Sequence, residues 1–288
     1  MKQLFIFVDG FGLGAPAADN PIRPEVCPAI CELLASHCVP LDACLGVPGL
    51  PQSATGQAAL FCGRNAAAFM GRHVTGFPGP TLRAFVEESN IFTMLKADGR
   101  RARFADAYLA DSPDELRARR FRSVTTTAAL TVPETLSFRA DLLHNQALLH
   151  DITRESLASK GYDGPTVTPQ EAADHLVQLA LGYDYTLFEY FLTDQVGHSG
   201  SYEAACAVLR TLDAFLGALF PLATEMGIST ALSSDHGNIE AIAMKTHTLN
   251  PVPLIATGPG ADALLSSCTS IADVTPAILR NLAENVKV

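Results

Sequence analysis

The chain has 288 residues, of which 48% are hydrophobic, and its formal net charge is -10. This length fits one large α/β domain or two small ones. The negative charge argues against a nucleic-acid-binding surface, which is normally basic, but not against an anionic substrate, because bound cations can reverse the local field. The first apolar run is too short for a signal peptide. We expect no stretch long enough to span a membrane, and a cytoplasmic protein.

The first apolar run, Leu4 to Val8, is typical of a strand in the middle of a parallel sheet. It is followed by Asp9 and then by glycines in the pattern Gly-x-Gly-x-Gly. This spacing differs from the Gly-x-Gly-x-x-Gly of dinucleotide-binding loops, and Pro16 follows before a helix could start. We therefore interpret Asp9 as the functional residue and the glycines as a means of turning the backbone tightly beside it.

Four of the seven cysteines lie between Cys27 and Cys44, but their gaps do not match the paired cysteines of zinc ribbons. We interpret them as small buried hydrophobic residues that remain reduced. The segment from Cys27 to Cys38 has the pattern of a helix, and Leu41 to Val47 that of a second strand.

A turn stiffened by Pro48 and Pro51 leads into an Ala-rich helical segment that begins near Ser53. The free backbone N–H groups at a helix N-terminus favour an anion such as phosphate. A serine at this place is more often an N-cap. Because acid and imidazole pairs occur elsewhere in the chain, we favour Ser53 as a nucleophile, with Thr55 as the second candidate.

The middle of the chain is predicted to hold one helix from Pro80 to Leu95 and one strand from Arg103 to Leu109. The segment from Asp111 to Gly164 has weak hydrophobic periodicity. We predict that it is a small insertion, a lid over the strand ends, within a single domain formed by residues 1–288. His150 and Arg154 in this segment are candidate substrate contacts.

Regular α/β alternation then returns. The predicted helices and strands are Thr168–Leu181, Tyr185–Leu192, Tyr202–Phe220, Gly227–Leu232, Leu254–Thr257 and Ile271–Leu282.

Acid and imidazole side chains follow two of these predicted strands. Asp194 and His198 come after the first, Asp235 and His236 after the second, and His247 follows eleven residues later. The carboxyl ends of parallel strands meet at one edge of a sheet, where open α/β folds hold their ligands. The sequence therefore predicts a metal site at this edge.

Two further polar residues lie near these ligands in sequence. Asn238 and Lys245 could contact phosphate oxygens there, or could equally be capping or surface residues.

Four separated motifs resemble those of the alkaline phosphatase superfamily, most closely its branch of cofactor-independent phosphoglycerate mutases and phosphopentomutases. They are Val8-Asp9-Gly10, Ser53-Ala54-Thr55-Gly56, Asp194-Gln195-Val196-Gly197-His198, and Asp235-His236-Gly237 with the later His247-Thr248-Leu249-Asn250-Pro251-Val252-Pro253. The resemblance implies a three-layer α/β/α sandwich with a largely parallel central sheet and two divalent metal ions, Mn²⁺ or Zn²⁺.

The resemblance also implies roles for the residues of the motifs. Asp194, His198 and His247 would hold one metal ion. The second ion would be held by three further residues and by the residue that takes the phosphoryl group: Asp9, Asp235, His236 and Ser53.

Two departures from the family pattern bear on the reaction. Gln57 stands where this branch usually has His, and the insertion is smaller than the cap of the phosphoglycerate mutases. We therefore predict a phosphomonoesterase that acts on a small phosphorylated metabolite through a phosphoserine intermediate. The alternatives are a phosphomutase, a phosphodiesterase and a non-catalytic nucleotide-binding protein.

Overall fold

The computed structural model describes residues 1–160 and 164–284, with the side chains of 158–160 left out. The eight strands of this part of the chain are β1 (Lys2–Val8), β2 (Cys38–Leu41), β3 (Ala102–Phe104), β4 (Ala107–Tyr108), β5 (Ser137–Phe138), β6 (Tyr185–Tyr190), β7 (Ile228–Ser233) and β8 (Val252–Thr257). Six of them form one sheet in the order β2-β8-β7-β1-β6-β3. Strand β8 runs antiparallel to both of its neighbours, β2 and β7, and the other neighbouring pairs in this sheet are parallel. The short strands β4 and β5 pair separately.

The described α-helices are α1 (Pro28–Ser36), α2 (Ser53–Cys62), α3 (Ala66–Met70), α4 (Pro80–Glu88), α5 (Ile91–Ala97), α6 (Pro113–Ala118), α7 (Val124–Leu130), α8 (Arg139–Leu143), α9 (Pro169–Leu181), α10 (Leu192–Ser199), α11 (Tyr202–Glu225), α12 (Ala261–Ser267) and α13 (Val274–Glu284). Single 3₁₀ turns occupy Pro133–Thr135, Glu155–Lys160, Ile239–Met244 and Ile271–Asp273.

Helices cover both faces of the sheet, and the central strand shows why. Phe5 and Phe7 of β1 point into a core shared with α2 and α13. The alternate residues Leu4, Ile6 and Val8 point into a second core shared with α9 and α11. A strand that is apolar on both faces must be covered on both. The predicted α/β/α sandwich with a largely parallel sheet is therefore confirmed.

Three of the predicted strands and helices have different bounds in the structure, and hydrogen bonds from the backbone to a side chain explain two of these differences. The second strand is Cys38–Leu41, because the Asp42 carboxylate accepts from the N–H groups of the next residues and turns the chain. The predicted helix from Pro80 to Leu95 is two helices, because Asn90 caps the second. The predicted strand from Arg103 to Leu109 is divided into β3 and β4.

Part of the segment from Asp111 to Gly164 belongs to the main core. The α7 residues Val124, Ala128 and Ala129 are fully buried there, and α7 contacts α4 and α2. Other residues of the segment, including His150, line the cavity described below. The function of the segment as a lid stays a prediction.

One described helix, α11, is long and apolar enough to cross a membrane by length and composition, with a mean hydropathy of 1.5 over its best window. The expectation that no stretch has this length is therefore wrong. Half of that window is buried inside the protein, and α11 packs against α9 and β7. Buried core helices have the same composition, so the helix is weak support for a membrane segment.

Candidate metal centre and nucleophile

The predicted ligands come together at the carboxyl ends of three neighbouring strands. Asp9 follows β1, and Asp235 and His236 follow β7. The third strand, β6, ends at Tyr190, earlier than predicted, and Asp194 and His198 lie on helix α10 instead of in an extended segment. A spacing of four residues on a helix places both side chains on one face.

The first cluster consists of Asp194, His198 and His247. The Nε2 atom of His198 lies 3.4 Å from Asp194 Oδ2 and 3.2 Å from His247 Nε2, which is 3.6 Å from Asp194 Oδ1. The Nδ1 atoms face backbone carbonyls, of Lys245 at 3.2 Å and of Pro51 at 2.8 Å. A carbonyl only accepts, so each Nδ1 carries the proton and leaves an Nε2 lone pair for the cluster. Metal-binding histidines are held in this tautomer.

The second cluster surrounds the buried imidazole of His236. Its Nε2 atom lies 3.4 Å from Asp9 Oδ1, 3.4 Å from Asp235 Oδ2 and 2.9 Å from Ser53 Oγ. The two carboxylate oxygens have no hydrogen-bond partner although they are buried. Asp194 also offers a ligand atom within 4.8 Å of those of Asp9 and His236, so it lies near both clusters.

Burial is the largest cause of the pKa shifts in this second cluster. Burial, and then the carboxylates of Asp235 and Asp194, raise the pKa of Asp9 well above its usual range. Burial and then Asp194 raise the pKa of Asp235 to about 7. Burial, with His247 next, lowers the pKa of His236 to about 3, so its imidazole is neutral. A nearby cation would reverse the shifts of the carboxylates.

These residues fit divalent metal ions. Orphaned carboxylate oxygens and neutral imidazole nitrogens are ligands that suit Mn²⁺ and Zn²⁺. Within residues 1–160 and 164–284, the groups close enough to hold a metal are Asp194–His198–His247 and Asp9–Asp194–His236. Neither contains a cysteine. Of the four clustered cysteines, Cys27 is buried as predicted, whereas Cys31, Cys38 and Cys44 are only partly buried.

Ser53 is the first residue of α2, and the N-cap is Gln52. The alternative interpretation of Ser53 as an N-cap is therefore wrong, and its hydroxyl instead faces His236. Thr55 is fully buried. Its hydroxyl donates to the Gln52 carbonyl at 3.3 Å and accepts from the Val74 N–H at 3.1 Å. Thr55 therefore has a structural role and lies outside the cluster.

Gln57, which replaces the usual His, lies one helical turn after Ser53 and is buried. Its Nε2 donates to Asp9 Oδ2 at 3.2 Å. The amide therefore holds one oxygen of Asp9 and leaves the other facing His236.

The four candidate substrate contacts have different positions. Asn238 is buried and donates to Asp194 Oδ1 at 2.7 Å, so it positions a ligand. Arg154 is also buried and donates to Asn145 Oδ1 at 2.8 Å, outside the cavity lining. Both side chains have partners within the protein, and substrate contact by either stays a prediction. Lys245 is exposed, and only its backbone carbonyl faces a ligand. His150 does line the cavity, stacked on Phe191 with ring centroids 4.7 Å apart.

A cavity of about 590 Å³ opens beside Ser53, and Asp9 and Asp194 form part of its wall. Two buried acids that the sequence analysis missed, Asp106 and Glu189, also line it. Burial raises the pKa of Glu189 to about 7 and that of Asp106 well above its usual range. Both had a signal: Glu189 interrupts an apolar strand, and Asp106 follows the end of β3 as Asp9 follows β1.

Comparison with known proteins identifies the family. The model of the Metalloenzyme superfamily matches residues 1–285. The chain is 34% identical over 138 residues to a 2,3-bisphosphoglycerate-independent phosphoglycerate mutase of Synechococcus sp. (strain JA-2-3B'a(2-13)). The aligned region covers 42% of this chain and 26% of that protein. A mutase of the same description from Picosynechococcus is 38% identical over 111 residues, covering 34% of this chain and 21% of that protein. The chain thus spans about a quarter of the length of the curated relatives it matches.

Solved structures show the same fold at low sequence identity. A cold-active alkaline phosphatase from Shewanella has a TM-score of 0.55 at 14% identity, covering 96% of this chain and 99% of that chain. A phosphoglycerate mutase of Leishmania mexicana, solved at low cobalt concentration, has a TM-score of 0.53 at 14% identity, covering 98% and 95%. The chain shares its fold with an alkaline phosphatase and a phosphoglycerate mutase, and it belongs to the Metalloenzyme superfamily.

Proposed function

We propose that this protein is a two-metal phosphoryl-transfer enzyme that hydrolyses phosphomonoesters of small molecules through a phosphoserine at Ser53. One observation carries the proposal: Ser53 Oγ lies 2.9 Å from His236 Nε2, at the start of α2 and in the wall of the cavity that also contains Asp9 and Asp194. A nucleophile, a helix N-terminus and candidate metal ligands thus meet at one place.

The two clusters supply the ligands. Asp194, His198 and His247 would hold one ion, and Asp9, Asp235 and His236 the other beside Ser53. Carboxylate and imidazole ligands without thiolates suit Mn²⁺ as well as Zn²⁺. Bound divalent ions would neutralise charge on the phosphoryl oxygens and lower the pKa of the serine hydroxyl.

The protein's own groups then account for the bond changes. Ser53 Oγ releases its proton to solvent as it attacks phosphorus, and the ester P–O bond breaks as the Oγ–P bond forms. The alcohol leaves with a proton from solvent. The first N–H groups of α2 stabilise the charge on the phosphoryl group. Water then attacks the phosphoserine, inorganic phosphate leaves and Ser53 regains its proton.

The cavity supports hydrolysis over phosphoryl return. A mutase must retain its substrate and keep water out while the serine is phosphorylated. In this chain, α7 from the predicted insertion is packed into the main core, and the cavity of about 590 Å³ leaves room for water beside a small substrate. Phosphomutase activity is the second candidate, because the cyanobacterial relatives are phosphoglycerate mutases by name.

Product analysis in ¹⁸O-labelled water tests the proposal. Protein loaded with Mn²⁺ or Zn²⁺ would be given sugar phosphates, phosphoglycerates and an aryl phosphodiester. A phosphomonoesterase releases inorganic phosphate that carries ¹⁸O. A mutase isomerises its substrate without free phosphate, and a diesterase cleaves only the diester. Absence of turnover in every case, with both metals bound, would contradict phosphoryl transfer.

A further inference from the structure

Glu240 is a buried carboxylate close to the metal-ligand loops in sequence but outside both clusters. It lies in the 3₁₀ turn after β7 and is 2% exposed. Its Oε2 accepts from the N–H groups of Gly12 at 3.0 Å and Asn238 at 2.8 Å. Its Oε1 accepts from Thr248 Oγ1 at 2.5 Å and Asn250 Nδ2 at 3.1 Å. All four partners are neutral donors.

These donors belong to three different loops, each of which carries candidate metal ligands. Gly12 is in the loop of Asp9, Asn238 follows Asp235 and His236, and Thr248 is next to His247. One carboxylate therefore connects ligands of both clusters. Two backbone bonds join the same loops: the Ile239 N–H donates to the Gly10 carbonyl, and the Thr248 N–H to the Gly237 carbonyl, both at 3.0 Å.

Two of the three glycines after β1 are explained by this arrangement. A Cβ atom at Gly12 or at Gly237 would clash with the Glu240 carboxylate, and one at Gly14 with the rest of its side chain. The backbone of the Asp9 loop can thus approach Glu240 closely only without side chains. Gly12 and Gly14 thus make room for this acid, whereas Gly10 lies against Asp194.

The chemistry at this position requires a group that only accepts hydrogen bonds. An ionised carboxylate has about four acceptor sites and no donor, which matches four converging donors. A glutamine of the same size would turn an NH₂ group toward two of them. A buried donor left without an acceptor costs free energy, so the loops would separate to regain partners.

We infer that Glu240 is a positioning residue that holds the three ligand loops at the separation both metal clusters need. The inference rests on the metal binding in the proposed function but not on the reaction. Hydrogen-bond partners of this kind commonly change metal affinity by about 10- to 100-fold when they are altered.

Titration calorimetry with Mn²⁺ and with Zn²⁺ tests the inference on the full chain. The Glu240→Gln variant should bind both ions about 10- to 100-fold more weakly than the wild type. Thr248→Val removes one donor and should have a smaller effect in the same direction, which provides a milder variant if Glu240→Gln folds poorly. The rise in melting temperature on adding metal should shrink in the same order.

Asp213→Asn is the matched control. Asp213 is also buried, and it accepts from the Ile30 N–H at 2.8 Å on the link between α11 and α1, away from the ligands. This variant should melt at a lower temperature but bind metal as the wild type does.

The outcomes separate the inference from the proposed function. Wild-type affinity for both ions in Glu240→Gln, with only a lower melting temperature, would show that Glu240 is purely structural. A wild type that binds both ions but cleaves no phosphoester would overturn the proposed function and leave the inference standing. A wild type that binds neither metal would overturn both.

Discussion

Ser53→Ala separates the nucleophile from the metal site. The substitution removes one hydroxyl, whose contact in the structure is with His236 Nε2 at 2.9 Å. Because Gln52 and not Ser53 is the N-cap of α2, no capping interaction is lost. We expect the free energy of unfolding to fall by about 1 kcal/mol, the usual contribution of one hydrogen bond. For a chain of this size, that lowers the melting temperature by about 2–4 °C.

The effect on turnover should be far larger. Loss of a nucleophile that forms the covalent intermediate commonly reduces kcat by at least about 10³-fold, or about 4 kcal/mol. The aspartate and histidine ligands of both clusters remain, so metal affinity should stay within about tenfold of wild type, since one contact of about 1 kcal/mol is lost. The assay is phosphate release by metal-loaded protein, with calorimetric metal binding on the same samples.

Thr55→Val is the control on the same helix, because the Thr55 hydroxyl is buried and bonds only to backbone groups. This variant should keep its activity after a modest loss of stability. Acid quenching of the wild type with a slow substrate should trap phosphate on Ser53, detected by mass spectrometry. Full activity in Ser53→Ala would refute the covalent mechanism and indicate direct attack by water.

Three further predictions concern the metal site. His247→Ala removes one ligand of the first cluster and the ring stacked on His236 at 3.6 Å, so elemental analysis should find about one metal ion fewer per chain. Gly56→Ala should weaken metal binding and lower the melting temperature, because its Cβ would lie 2.7 Å from the Asp235 carbonyl oxygen; the usual gain of about 1 kcal/mol for this change in a helix would contradict the packing. The third prediction concerns the stability of metal-free protein between pH 4 and 7. The pKa of Asp9 is raised well above its usual range and that of Asp235 is raised to about 7, so these two carboxyls bind more protons in the folded state than in the unfolded state. The lowered pKa of His236 has the opposite effect below about pH 6.5, because its imidazole binds a proton in the unfolded state only. The two carboxyls outweigh this one imidazole, so the free energy of unfolding should fall as pH rises. The melting temperatures measured in a chelator and in Mn²⁺ should differ more as the pH rises toward 7, and a difference that stays constant would contradict this prediction.

The sequence predicts the ligands well where a simple geometric rule applies. Asp9 directly follows β1, and Asp235 and His236 follow β7 after one intervening residue. The carboxyl ends of β1 and β7 are neighbours in the sheet. Parallel strands that are buried on both faces have a recognisable pattern, so the residues after them can be identified without the fold. The helical setting of Asp194 and His198 was missed because α10 begins at Leu192, inside the apolar run that was predicted to be a strand.

The supporting residues could not be predicted because their contacts are distant in the chain. The bond from Gly12 to Glu240 spans 228 residues, and that from Asn238 to Asp194 spans 44. No local period or spacing indicates such partners. The same limit applies to Arg154, which resembles a substrate contact by its charge but is buried against Asn145. Composition shows that a charged residue is present but not which surface it faces.

Folding and metal binding are physically coupled in this arrangement. The fold buries Asp9 and Asp235 beside Asp194 and near a neutral His236, and their pKa shifts show that the ionised forms are disfavoured without a cation. A bound divalent ion replaces proton binding as the means of neutralising these carboxylates, and its binding free energy then adds to the stability of the folded state. The burial that disfavours the ionised carboxylates would therefore also favour a bound metal ion, and Ser53 lies at the boundary between these buried acids and the cavity.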